Sequence, residues 1–174
     1  MPREPRATSM SRLILLGGPP GVGKSTVLRS LSARFSKSAI LDADDVWRVS
    51  EDITSPGRFW ITSVVSVMRG YFGAGCELGI LSWVFARAEL FQPVLDGLAD
   101  VVDHSHLIYL VASPEALERR LIERGEPEKV PYAKSRLELI EELPFPRIDT
   151  SDISALSAAD HIAEKIHHWV AGGA

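Results

Sequence analysis

The chain has 174 residues, 45% hydrophobic and 24% charged, with a formal net charge of −4. That length supports one domain with a core of its own, and the composition excludes a disordered or fibrous chain. Interspersed charges exclude general attraction to nucleic acid or an anionic membrane, the single cysteine excludes an internal disulfide, and no apolar run approaches a membrane span.

Residues 1–10 are polar, contain two prolines and lack the apolar stretch of a signal peptide. They read as a loose tail, or as an over-long start with Met10 the initiator. Residues 11–174 are expected to form a single domain in a cytoplasmic protein. Arg12–Gly17 is a continuous apolar run ending in glycine, as in a strand covered on both faces. A helix is expected over Lys24–Phe35, with Val27, Leu28, Leu31 and Phe35 at helical spacing, and a short strand over Ala39–Leu41. Trp60–Tyr71 places Ile61, Val64, Val65 and Met68 on one stripe. Leu78–Phe85 reads as a third strand, with Cys76 a buried strand residue before it, and Glu89–Leu98 as the returning helix. Leu107–Val111 is a fourth strand. Ser113-Pro114-Glu115 then opens a helix with a cap, a proline at its first position and an early acid. Residues 124–130 form a polar loop, Ala133–Leu143 a helix and Pro146–Asp149 a fifth strand. Ser157 to Asp160 begins the last helix in the manner of a capping box. Alternating strands and helices of this kind make parallel βαβ units.

Gly18-Pro19-Pro20-Gly21-Val22-Gly23-Lys24-Ser25 fits G-x-x-x-x-G-K-[ST] at every fixed position, between an apolar strand and an amphipathic helix. Glycines let such a loop curl until its backbone N–H groups face phosphate oxygens, and the following helix adds its positive end. Lys24 is the candidate for the β- and γ-phosphates, Ser25 for Mg²⁺ and Thr26 for the α-phosphate. No Asn-Lys-x-Asp tetrapeptide of a GTPase occurs, and neither the third nor the fourth strand ends in paired acids. The acids follow the second strand instead, as Asp42, Asp44 and Asp45. A spacing of two puts Asp42 and Asp44 on the same side of an extended segment, where one can hold Mg²⁺ and the other accept a proton from a substrate hydroxyl. The competing reading is that Asp44 or Asp45 caps a short turn toward Trp47.

The GGPPGVGKST loop, the LDAD segment and SPEALERRLIERG together resemble the small P-loop kinases: shikimate and gluconate kinases, chloramphenicol phosphotransferase, zeta toxins and adenylate-kinase-like proteins. The likeness is strongest to bacterial AAA-type or adenylate-kinase-like ATP-binding proteins, through Asp44-Asp45-Val46-Trp47 and Leu81-Ser82-Trp83-Val84-Phe85. It implies an α/β, three-layer P-loop NTPase fold: a five-stranded parallel sheet of order 2-3-1-4-5 flanked by helices, with a short lid. ATP and Mg²⁺ are the implied ligands, held by Gly18, Pro20, Gly21, Val22, Gly23, Lys24, Ser25 and Thr26. By the same resemblance Asp42 lies near the metal, Asp44 is the general base, and Arg120 stacks on adenine. Arg124 is the lid arginine that closes on the phosphates, with Arg136 as a second. Residues 148–151 would border adenine. For these arginines the plain alternative is a solvated helix face paired with Glu115, Glu118 and Glu123, and for Arg119 that alternative is preferred. The lid lacks the several arginines of that family.

The acceptor site is implied between the second and third strands, with Trp47 and Arg58 as the preferred contacts and Trp60 and Trp83 assigned to core packing. His104, His106, His167 and His168 have no partners at zinc-site spacing. The leading expectation is a phosphotransferase with a small-molecule alcohol acceptor. The alternative is a nucleotide-dependent switch or accessory ATPase acting on a protein partner. Oligomeric state is not written in the sequence.

Overall fold

The computed structural model describes residues 10–46 and 56–172. Strand β1 (Arg12–Gly17) is buried from Leu13 onward because it is the middle of a sheet. It pairs in parallel with β3 (Leu78–Ser82) on one side and β4 (His104–Val111) on the other. Beyond these lie β2 (Ser38–Asp42), paired to β3, and β5 (Arg147–Asp149), paired to β4. The order is therefore β2-β3-β1-β4-β5, as the sequence implied.

Successive β1 side chains point to opposite faces, and each face supports its own core. Leu13 and Leu15 pack with Trp60, Val64, Met68 and Phe72 of α2 (Pro56–Gly73) and with Phe91, Val94 and Leu98 of α3 (Ala88–Leu98). Ile14 and Leu16 pack with Val27, Leu28 and Leu31 of α1 (Lys24–Leu31) and with Ile162 and Ile166 of α6 (Ala155–Gly172). Helix α4 (Pro114–Glu123) adds Leu117 and Leu121 to this second core, and α5 (Val130–Glu141) adds Ala133 and Leu137. The result is three layers, helices on both faces of the sheet. Neighbours of β1 leave in opposite directions along the sheet, so a crevice opens at its carboxyl end, the usual ligand position in such sheets.

Several expected boundaries move, each for a local reason. Helix α1 stops at Leu31, not Phe35. Ser30 and Ser32 donate their hydroxyls to the carbonyls of Thr26 and Arg29, competing with the helical ladder. Phe35 still packs on the core from the turn that follows. Strand β3 ends at Ser82, because its partner β1 runs out at Gly17; Trp83 N–H makes a last bond to the Leu16 carbonyl at 3.2 Å. Cys76 is half-buried in the turn before β3, not a strand residue. The cap of α6 is Ser154, whose hydroxyl accepts from Ser157 N–H at 3.0 Å. Asp160 closes no capping box and pairs with Arg34 instead. At α4 the expected cap holds: Ser113 Oγ accepts from Ala116 N–H at 3.2 Å. Among the described residues no helix is long and apolar enough to cross a membrane.

Candidate active site

Between β1 and α1 the chain must turn in six residues while staying close to β4. Gly18 has φ 152°, and a Cβ there would lie 2.7 Å from the Leu110 carbonyl oxygen. Gly23 meets no neighbour, yet its φ of 103° is a conformation that side chains disfavour. It stands at the N-cap of α1, which has no side-chain cap and no acid in its first turn. Positive potential at this helix end is thus left for an anion to satisfy. Lys24 folds back over the loop, donating to the carbonyls of Gly18 at 2.8 Å and Pro19 at 3.0 Å. Desolvation pushes its ammonium down to about 8, with the charges of Asp42 and Asp44 opposing and that of Arg124 assisting.

Asp42 ends β2 and faces the same loop. Its Oδ2 accepts from the Ser25 hydroxyl at 2.6 Å, and its Oδ1 from Asp44 N–H at 3.3 Å, capping a 3-10 turn over Ala43–Asp45. The capping role therefore falls on Asp42, not on Asp44 or Asp45. That turn, not the pleat of an extended segment, brings Asp44 round beside Asp42. Partial desolvation holds the Asp44 carboxyl above its ordinary range, reinforced by the charge of Asp42. Lys24 and a hydrogen bond from the Trp83 side chain act the other way.

Trp83 is a contact the sequence reading assigned to the core. Its ring stacks on Trp60 with centroids 3.9 Å apart and planes 29° apart, while Trp60 itself is 2% exposed. Trp60 is core as expected. Trp83 is only partly buried and lines a cavity of about 370 Å³ that also holds Lys24, Ser25, Asp42, Asp44 and Arg124. Glu126, Lys129 and Tyr132 wall the far side, from the loop between α4 and α5 and from the start of α5. Arg136 is not among the lining residues; its guanidinium sits 4.5 Å over the Tyr132 ring.

On the other side of the loop a smaller cavity of about 160 Å³ is lined by Val22, Gly23, Thr26, Arg120, Thr150 and Ile153, among others. Arg120 is held in place there by the Thr150 hydroxyl at 3.2 Å, the Thr150 carbonyl and the Ser151 carbonyl at 3.3 Å. Thr150 is 3% exposed, and its hydroxyl lies 3.1 Å from the carbonyls of both Val22 and Val111. It thus ties the end of β5 to the phosphate loop, a role its sequence context did not signal. Arg119 is exposed and lines neither cavity, consistent with a solvated helix face.

Two expected acceptor contacts are not placed: Trp47 lies outside the described residues, and of Arg58 only the backbone, in the first turn of α2, is described. Among the described residues no group of three or more His, Cys, Asp or Glu could hold a metal ion by itself. His106 stacks on Trp169 at 4.3 Å, and His167 lies against Phe35 at 5.0 Å. Ser25 and Asp42 offer two hard oxygen donors side by side next to the phosphate loop, which suits Mg²⁺ shared with a polyphosphate.

Comparison with known proteins bears on the family and the fold. The family described as "AAA domain" matches residues 14–141. A 2-phosphoglycerate kinase from Pyrococcus horikoshii is 27% identical over 169 residues, a match covering 81% of this chain and 56% of that protein. The chain therefore spans little more than half the length of that relative. The structure of a tunicamycin resistance protein from Deinococcus radiodurans superposes with a TM-score of 0.69 at 21% identity, covering 90% of this chain and 95% of the other. A shikimate kinase from Acinetobacter baumannii gives 0.59 at 19% identity, covering 91% and 94%. A gluconokinase from Sinorhizobium meliloti gives 0.58 at 17%, covering 93% and 98%. These three solved structures share the fold of this chain.

Proposed function

Because this chain belongs to the AAA domain family and has the fold of the small P-loop kinases, we propose that it transfers the γ-phosphoryl group of ATP to a hydroxyl of a small molecule. One observation carries the reading: a single cavity joins the phosphate loop, through Lys24 and Ser25, to the carboxylates Asp42 and Asp44. A nucleotide switch needs the first pair alone. A kinase needs the second as well, since its acceptor must lose a proton next to the phosphates.

In this reading the triphosphate lies along Gly18, Pro20, Gly21, Val22, Gly23 and Thr26, against the open end of α1. Adenine sits in the smaller cavity beside Arg120 and Thr150. Lys24 exchanges the carbonyls of Gly18 and Pro19 for phosphate oxygens, which restores its full positive charge. Ser25 and Asp42 would hold Mg²⁺, which would supply charge neutralisation at the phosphates. Asp44 accepts the proton of the acceptor hydroxyl; its upward-shifted carboxyl is a stronger base than an ordinary aspartate. Arg124 meets the charge that develops on the transferring group. Trp83 gives the acceptor a flat wall beside the base, and Trp47 and Arg58 are proposed, from the sequence alone, as further acceptor contacts.

The test is ADP formation from Mg·ATP in the presence of hydroxyl compounds. The set begins with 2-phosphoglycerate, gluconate and shikimate, after the names of the relatives, and continues with nucleosides and hydroxylated antibiotics. A phosphorylated product that accumulates with ADP is expected. Acceleration of ATP consumption by a protein partner, with none by any small acceptor, would remove the kinase reading.

A further inference from the structure

The loop after α4 brings two cations onto one carboxylate. Arg124 Nη2 lies 3.0 Å from Glu126 Oε2, and Lys129 Nζ lies 2.5 Å from Glu126 Oε1, so each oxygen holds a different cation. The local backbone enforces this. Glu126 N–H closes the end of α4 on the Leu121 carbonyl at 2.9 Å, and a 3-10 turn over Pro127–Lys129 swings Lys129 back onto the residue three before it. Both cations hold the Glu126 carboxyl below its ordinary range, the hydrogen bond from Lys129 most of all.

The position of this clasp gives it meaning. Arg124, Glu126 and Lys129 all line the cavity that contains Lys24 and Ser25. Arg124 lies one helical turn beyond Arg120, roughly 6 Å along the axis, and lines the larger cavity where Arg120 lines the smaller. Its charge reaches Lys24. Cations at this end of the site stand in the cavity of the phosphate loop, where a terminal phosphate would lie, and they are ion-paired with Glu126.

We propose that Glu126 is the resident anion of the lid, displaced by the terminal phosphate of ATP when Arg124 and Lys129 turn to the nucleotide. The proposal rests on ATP binding at the Gly18–Thr26 loop. Ion pairs are exchanged in this step, not added, so closure gains little net energy and is easily reversed once the terminal phosphate has left. Glu126 weakens the hold on the triphosphate more than on the diphosphate, and so sets the relative affinity for substrate and product nucleotide.

The experiment is calorimetric titration of Mg·ATP and Mg·ADP into the wild-type protein and into Glu126→Gln at fixed ionic strength. Relieving the competition should lower the dissociation constant of ATP about three- to tenfold, the scale of one partly exposed ion pair, and that of ADP less than twofold. The gain should vanish when Glu126→Gln is combined with Arg124→Ala and Lys129→Ala, an outcome a merely structural glutamate would not produce. Unchanged or weaker ATP binding by Glu126→Gln overturns the proposal, as do equal gains for ATP and ADP. Failure of the wild-type protein to bind either nucleotide removes instead the nucleotide reading on which it stands.

Discussion

The phosphate loop and the lid above it are built from opposite materials. In the loop the backbone does the work: Gly18 passes within clashing distance of a β4 carbonyl for any larger residue, Gly23 takes a left-handed turn, and an uncapped helix points its N–H groups outward. The lid is made of side chains. Arg124, Glu126 and Lys129 are partly or largely exposed and hold one another through ion pairs. A backbone site is fixed before ligand arrives, because moving it means unfolding a strand and a helix. Ion pairs at a surface cost little to rearrange. Affinity for phosphate therefore belongs to the loop, and adjustment belongs to the lid.

The comparison is broken most severely at Lys24, which acts through its side chain and not its backbone. Lys24→Ala should lower phosphoryl transfer by about three orders of magnitude or more, with an unchanged circular dichroism spectrum; turnover near wild type would take the loop out of the chemistry. Next comes the acid pair. Asp44→Asn should retain Mg·ATP affinity and lose about 10²–10⁴ in turnover, and a loss of less than about tenfold would mean that Asp44 is not the base. A smaller effect is expected at Trp83→Phe, which keeps an aromatic ring against Trp60 and removes the donor to Asp44. Turnover should fall roughly three- to tenfold, on the scale of one hydrogen bond to a charged group, with ATP affinity unaltered.

The smallest effect sharpens the contrast through protons. The Lys24 ammonium is more acidic in the folded protein than a free lysine, so its deprotonated form is the one the fold tolerates better. Its contribution to stability accordingly rises as pH increases from about 8 toward 10.5. Bound phosphates restore the charge. Nucleotide binding should thus take up about half a proton at pH 8 and about a tenth at pH 7, measured from binding enthalpies in buffers of different ionisation heat. Uptake that does not change with pH would mean another group is responsible.

How much of this was legible in the sequence follows the same division. The loop could be read residue by residue, because backbone geometry restricts which amino acids fit, and glycine spacing carries that restriction openly. Strand order followed from the resemblance those residues support. Side-chain pairings could not be read in this way. Glu126 stood in a polar loop as one acid among several, and only the 3-10 turn after it brings Lys129 within reach. Trp83 packs on the core as expected, but its place on the cavity wall was hidden because Leu81 to Phe85 is apolar throughout; the point where β3 stops is set by the length of β1, a partner distant in sequence. Asp42 and Asp44 do line one cavity, but a turn and not the pleat of an extended chain brings them there.

The stacked tryptophans have a practical side. Trp60 is sealed in the core while Trp83, in contact with it, looks into the cavity beside the carboxylates. The protein therefore carries its own optical gauge: a molecule settling against Trp83 alters the polarity around one of the four indoles of the chain. Candidate acceptors can be screened by the emission of the unlabelled chain, before any of them has been shown to be phosphorylated.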